Sequence, residues 1–196
     1  MAIGVSSYAY RWAIRSGHMD TFDLLDRVNE AGGRVVQICD NLPLDRLPDE
    51  MLANLARRAA ELGVSLEVGI KGSSPEHVRR NLEVVKRLGA RLLRVVLTDA
   101  EWRPPFAESV AVFKSLLPDL RVAGSQVAIE NHFHMTPAEL ARLVEAVGDP
   151  LVGVCLDPLN SITMFVGVVE TVKTLAPLAM SIHAKDAVIT RQHTGF

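Results

Sequence analysis

Short apolar runs alternate with longer segments of helical period along the whole chain, and this alternation constrains the fold most. The runs are Ile3–Ser7, Val35–Ile38, Ser65–Ile70, Leu92–Leu97, Gln126–Glu130, Val152–Leu156 and Ala179–Ala184. Most are unbroken Val/Ile/Leu stretches, which suits parallel strands covered on both faces. Between them, Leu52, Leu55, Ala56, Ala59 and Leu62 make a helical stripe, as do Val78, Leu82, Val85 and Leu88. Leu140, Leu143, Val144 and Val147 repeat it, followed by Phe165, Val168, Val169, Val172 and Leu175. Thr136-Pro137-Ala138-Glu139 reads as an N-cap, a proline at the first helical position and a glutamate closing a capping box. Ser74-Pro75 has the same form, and Gly63 and Gly89 fit left-handed helix stops.

A strand and a helix recur about every 30 residues, the length of one unit in a (β/α)8 barrel. A doubly wound sheet would carry a glycine-rich phosphate turn after its first strand, but Ser7-Tyr8-Ala9-Tyr10 stands there. The predicted fold class is therefore α/β, of the (β/α)8 TIM-barrel type, with residues 1–196 as a single domain. Strand seven ends near residue 184 of a 196-residue chain. The remainder is too short for helix seven, strand eight and helix eight, so the expectation is a barrel truncated after its seventh strand, its C-terminal units missing. Strands one and seven would then have unpaired edges, which leaves room for a homo-oligomer.

Composition narrows the function classes. Lys and Arg number 21 against 23 Asp and Glu, a net charge of −2, so no positive field favours nucleic acid. No apolar stretch reaches the roughly 18 residues of a membrane span, and the N-terminus shows no secretory pattern. Two cysteines make no disulfide framework. These readings predict a cytoplasmic protein without nucleic-acid or membrane partners.

In a barrel, chemistry gathers where strands end at the C-terminal mouth. Strand five ends in Glu130, strand six leads to Asp157, and strand seven to His183, each one repeat after the last. Two carboxylates and an imidazole suit one divalent cation; Mn, Mg, Co and Zn all accept that donor set.

The segments Ile129-Glu130-Asn131-His132, Leu156-Asp157-Pro158-Leu159-Asn160 and Ile182-His183-Ala184-Lys185-Asp186 resemble the xylose-isomerase-like sugar phosphate isomerase/epimerase family. The resemblance runs the length of the chain. It implies that Glu130, Asp157 and His183 are three metal ligands, a strand-eight glutamate being the fourth, without a counterpart here. It also implies substrate contacts at His132 and Asn160, and at Arg191, which matches the family's substrate arginine beyond strand seven. The implied reaction isomerises or epimerises a small sugar, sugar phosphate or sugar acid. A proton leaves the carbon next to a carbonyl, and metal stabilises the enediolate. Glu130 is the candidate base. Lys185 either holds a substrate oxygen or pairs with a barrel carboxylate. A dehydratase or other lyase of the same superfamily is the alternative, and a catalytically incomplete barrel fragment is another. The DNA-cleaving relatives need more histidines and a basic face.

Other residues read more plainly. Cys155 and Cys39 are packing side chains. Gly69-Ile70-Lys71-Gly72-Ser73-Ser74 is a strand-to-helix turn that only loosely resembles a phosphate cradle. Glu67 faces the interior and needs a partner, Lys185 or Lys71. Trp102 and Phe106 either wall a sugar pocket or pack their own loop, and His134 reads equally as an exposed loop side chain.

Overall fold

The computed structural model describes residues 2–188 and 190. Seven parallel strands form one sheet in sequence order: β1 (Gly4–Ser6), β2 (Val35–Ile38), β3 (Ser65–Lys71), β4 (Leu92–Val96), β5 (Gln126–Glu130), β6 (Val152–Leu156) and β7 (Ala179–Ile182). The connecting helices are α1 (Arg11–Arg15), α2 (Thr21–Glu30), α3 (Asp49–Leu62), α4 (Pro75–Leu88), α5 (Phe106–Ala123), α6 (Pro137–Val147) and α7 (Val168–Leu175). The sheet curls far enough for His183, just beyond β7, to meet Gln37 of β2. Among the described residues β1 and β7 are not paired, so the barrel is open. None of the described helices is long and apolar enough to cross a membrane.

The two faces of the sheet differ, and the difference positions the site. Val36, Ile38, Val68, Ile70, Leu93, Val95, Val127, Ile129 and Val154 point outward and pack with the helices in the main core. The inward positions alternate with them. On the inner face Leu92, Ala128 and Cys155 form a small apolar cluster. Beside it the interior is polar, with Gln37, Glu67, Arg94 and Glu130 on successive strands.

Helix boundaries follow local chemistry. Thr136 caps α6 in the expected box: its Oγ1 accepts from Glu139 N, and the Glu139 carboxylate accepts from Thr136 N. Gly63 and Gly89 end α3 and α4 in the left-handed region. Two expectations are corrected. Ser74 holds the N-cap position of α4 but makes no side-chain cap bond, so Pro75 alone shapes that start. Phe165 is not part of the α7 stripe. It lies before the helix, fully exposed at φ 59°, because the left-handed turn at Phe165 separates it from a helix that starts at Val168.

Candidate active site at the mouth of the sheet

Glu130 closes β5 and is 3% exposed. Its two oxygens have different surroundings. Oε1 accepts a hydrogen bond from Asn160 Nδ2 at 3.0 Å. Oε2 lies 2.6 Å from Arg94 Nε, but the N–H is not aligned with it, and neither atom has a hydrogen-bond partner. The contact is a buried charge pair. Burial pushes the Glu130 carboxyl up, but His183, Arg94 and Lys185 outweigh it and bring it down to about 2.

Asp157 follows β6 and is fully buried. Asn131 ties it to β5: the side-chain oxygen accepts from Asp157 N at 2.7 Å, and Nδ2 donates to Asp157 O at 2.7 Å. This amide bridge extends the ladder beyond the last strand pair and fixes the height of both carboxylates. Asp157 Oδ1 accepts the amides of Leu159 and Asn160. Oδ2 faces inward, with Lys185 Nζ against it.

His183 completes the group. Glu67 accepts from Gln37 Nε2 at 2.9 Å, which fixes the Gln37 amide so that its oxygen faces His183 Nε2 at 2.8 Å. With Nε2 donating to that oxygen, Nδ1 points inward, a donor to Glu130 when it carries a proton and a lone pair open to a ligand when it does not. It lies 3.7 Å from Glu130 Oε2 and 4.0 Å from Asp157 Oδ2. Both carboxylate oxygens thus lie within 4.0 Å of His183 Nδ1, with Arg94 Nε against the first and Lys185 Nζ against the second. Two buried negative charges this close to one imidazole need positive charge beside them. The donor set fits a divalent ion of the hard-to-borderline kind. Arg94 and Lys185 flank the same oxygens and balance their charge.

Thus Glu130, Asp157, His183, Asn160 and Lys185 come together at one mouth. Of the two readings for Lys185, the structure has the carboxylate pair, with a longer contact to Asn160 Oδ1 at 3.4 Å. Asn160 Nδ2 is taken by Glu130 and by Asn131 O, so it clamps the carboxylate. His132 is half-buried beside Phe133; burial, its largest influence, lowers its pKa. Arg191 lies outside the described residues.

Several neighbours correct the sequence reading. Glu67 pairs with Gln37, not with Lys185 or Lys71, because the register sets Gln37 directly beside it. Of the two readings for Trp102, packing holds: its N–H donates to Asp99 within its own loop and its Nε1 donates to Ser73 Oγ of the turn after β3 at 3.0 Å. Ser73 Oγ in turn donates to Leu97 O, so that hydroxyl cradles no anion. His134 is partly buried rather than exposed, and both ring nitrogens lack partners. Burial lowers its pKa to about 4. Arg94 and Gln37 escaped the sequence reading altogether. The signal was present, since each is one polar residue inside an apolar strand, the same criterion that picks out Glu67.

Comparison with known proteins agrees with this architecture. Residues 25–195 match the family model of the xylose isomerase-like TIM barrel. The chain is 30% identical over 195 residues to the 3-oxo-isoapionate decarboxylase of Pectobacterium atrosepticum, covering 98% of this chain and 71% of that protein. Among solved structures, a D-psicose 3-epimerase determined in the presence of D-fructose superposes with a TM-score of 0.76. Its identity is 20%, over 93% of this chain and 72% of its own. A xylose isomerase-like TIM barrel protein from Mycobacterium smegmatis, in complex with magnesium, gives 0.74 at 16% identity, over 94% and 74%. At these identities the structures speak to the fold, while the family model and the decarboxylase relative speak to descent: the chain belongs to the xylose isomerase-like TIM-barrel family.

Proposed function

We propose that this chain carries the active site of a divalent-metal-dependent enzyme acting next to the carbonyl of a small sugar, sugar phosphate or sugar acid. The observation that carries the reading is the placement of two buried carboxylate oxygens, Glu130 Oε2 and Asp157 Oδ2, within 4.0 Å of His183 Nδ1 at the mouth of the sheet. Those three residues would hold the ion. When bound, a divalent cation polarises the carbonyl and stabilises enediolate charge.

The chain's own groups bear on which bond breaks. An isomerase or epimerase needs a carboxylate free to take a proton from carbon. Glu130 is the candidate, and it must first leave Asn160 on one oxygen and Arg94 on the other. That clamp favours a second reading within the family, a decarboxylating lyase. There the bond from the carbonyl-adjacent carbon to a carboxylate breaks, its electron pair becomes the enediolate, carbon dioxide leaves, and no base is required. Lys185, half-exposed beside Asp157, would return a proton to that carbon. The relative named as a 3-oxo-isoapionate decarboxylase supports this reading.

The test is incubation with Mn²⁺ or Mg²⁺ in D₂O, against simple aldoses, ketoses and 3-oxo sugar acids. Release of carbon dioxide supports the lyase reading. Deuterium entering recovered sugar without carbon dioxide supports the isomerase reading. Metal affinity unchanged in Asp157→Ala and His183→Ala would overturn the site itself.

A further inference from the structure

Strand order sets Arg94 between two carboxylates. It faces inward from β4, with Glu130 of β5 on one side. On the other side β3 offers the carbonyl of Ile70, which accepts from Arg94 Nη1 at 3.2 Å. Beyond that carbonyl, in the turn after β2, Asp40 Oδ1 lies 3.9 Å from the same Nη1. One rigid guanidinium therefore touches Glu130 at Nε and faces Asp40 at Nη1. Neither pairing is complete. Nε and Glu130 Oε2 are buried 2.6 Å apart without an aligned hydrogen bond. A shift of about 1 Å toward Asp40 would make a hydrogen-bonded ion pair there. Asp40 is held in place for it: Tyr8, just after β1, donates its hydroxyl to Oδ2 at 2.8 Å, which leaves Oδ1 for the arginine. Burial, joined by that bond, pushes the Tyr8 phenol up, so it stays a donor.

We propose that Asp40 is a positioning residue that takes over Arg94 when Glu130 Oε2 turns to a divalent ion. The inference rests on the metal-dependent reading above and deepens it by naming what frees the ligand. A cation arriving at Glu130 repels the guanidinium already there. At Asp40 the guanidinium stands farther from that cation and keeps a carboxylate partner, so its buried charge is not left unpaired. Without Asp40, Arg94 stays on Glu130. Only a fraction of the molecules then offer Oε2, and the apparent affinity for the ion falls by that fraction.

Calorimetric titration of the wild type, Asp40→Asn, Arg94→Met and the double variant with Mn²⁺ tests this as a cycle. Asp40→Asn should weaken Mn²⁺ binding, and the loss should be about tenfold larger with Arg94 present than in the Arg94→Met background. Plain removal of the Asp40 charge acts in both backgrounds and cancels from that ratio. Tyr8→Phe keeps both carboxylates and should weaken Mn²⁺ about threefold, again only with Arg94 present. A second readout follows the guanidinium itself. The Arg94 ¹⁵Nε–H resonance, identified by its absence from Arg94→Met, should move when Mg²⁺ binds the wild type. Losses that simply add in the cycle, or an Arg94 resonance unmoved by bound Mg²⁺, overturn the inference and leave the metal-dependent reading standing. Failure of the wild type to bind either ion overturns both.

Discussion

Replacing Arg94 by methionine should separate the electrostatics of the site from its packing. Methionine fills much of the same volume without the charge, and it strands Glu130 in the interior. The two side chains are 6% and 4% exposed, with Nε and Oε2 2.6 Å apart. At an effective dielectric near 20 and a charge-centre separation of roughly 4 Å, their attraction is about 4 kcal/mol. Removing one member of a buried pair usually costs about 3–5 kcal/mol. Asn160 and Lys185 remain beside Glu130, so we expect a loss of about 3 kcal/mol in unfolding free energy at pH 7. Burial alone would raise the Glu130 carboxyl, but His183, Arg94 and Lys185 bring it from 4.5 to about 2. Its contribution to stability is therefore complete above pH 4.5 and disappears as the pH falls through about 2. The deficit of Arg94→Met should accordingly be full at pH 7 and shrink from pH 4.5 downward. Urea unfolding of both proteins at several pH values between 7 and 3, in metal-free buffer, measures it. A deficit under 1 kcal/mol that does not vary with pH would refute the charge-pair account.

Two other outcomes are expected. Gln37→Leu removes the acceptor that keeps the proton on His183 Nε2, so divalent-ion affinity should drop about 10- to 100-fold. Histidine ¹⁵N spectra should show the tautomers mixing, and an unchanged tautomer would disprove the relay from Glu67. Thr136→Ala breaks the α6 capping box and should cost about 1 kcal/mol with no effect on metal affinity; a change in affinity would contradict the separation of cap and site.

Chemistry along the chain was enough to specify the unit of construction. Continuous apolar runs one repeat apart, with caps and left-handed glycines at the helix ends, require parallel strands and covering helices, because those features depend on near neighbours. The same repeat placed Glu130, Asp157 and His183 at comparable heights, since each closes a strand of the same sheet. What surrounds those three could not be read in one dimension. Arg94, Gln37 and Glu67 lie on three other strands, and only the alternation of faces and the inter-strand register turns them inward together. Only the curl of the sheet carries His183 across to Gln37, 146 positions away. Cys155 shows the same division. Its sequence position, two residues before Asp157, fixes the direction it points, because strands have a period of two. Its nearness to Glu130 and His183 was decided by pairing between strands, a long-range contact that the residues around Cys155 do not encode.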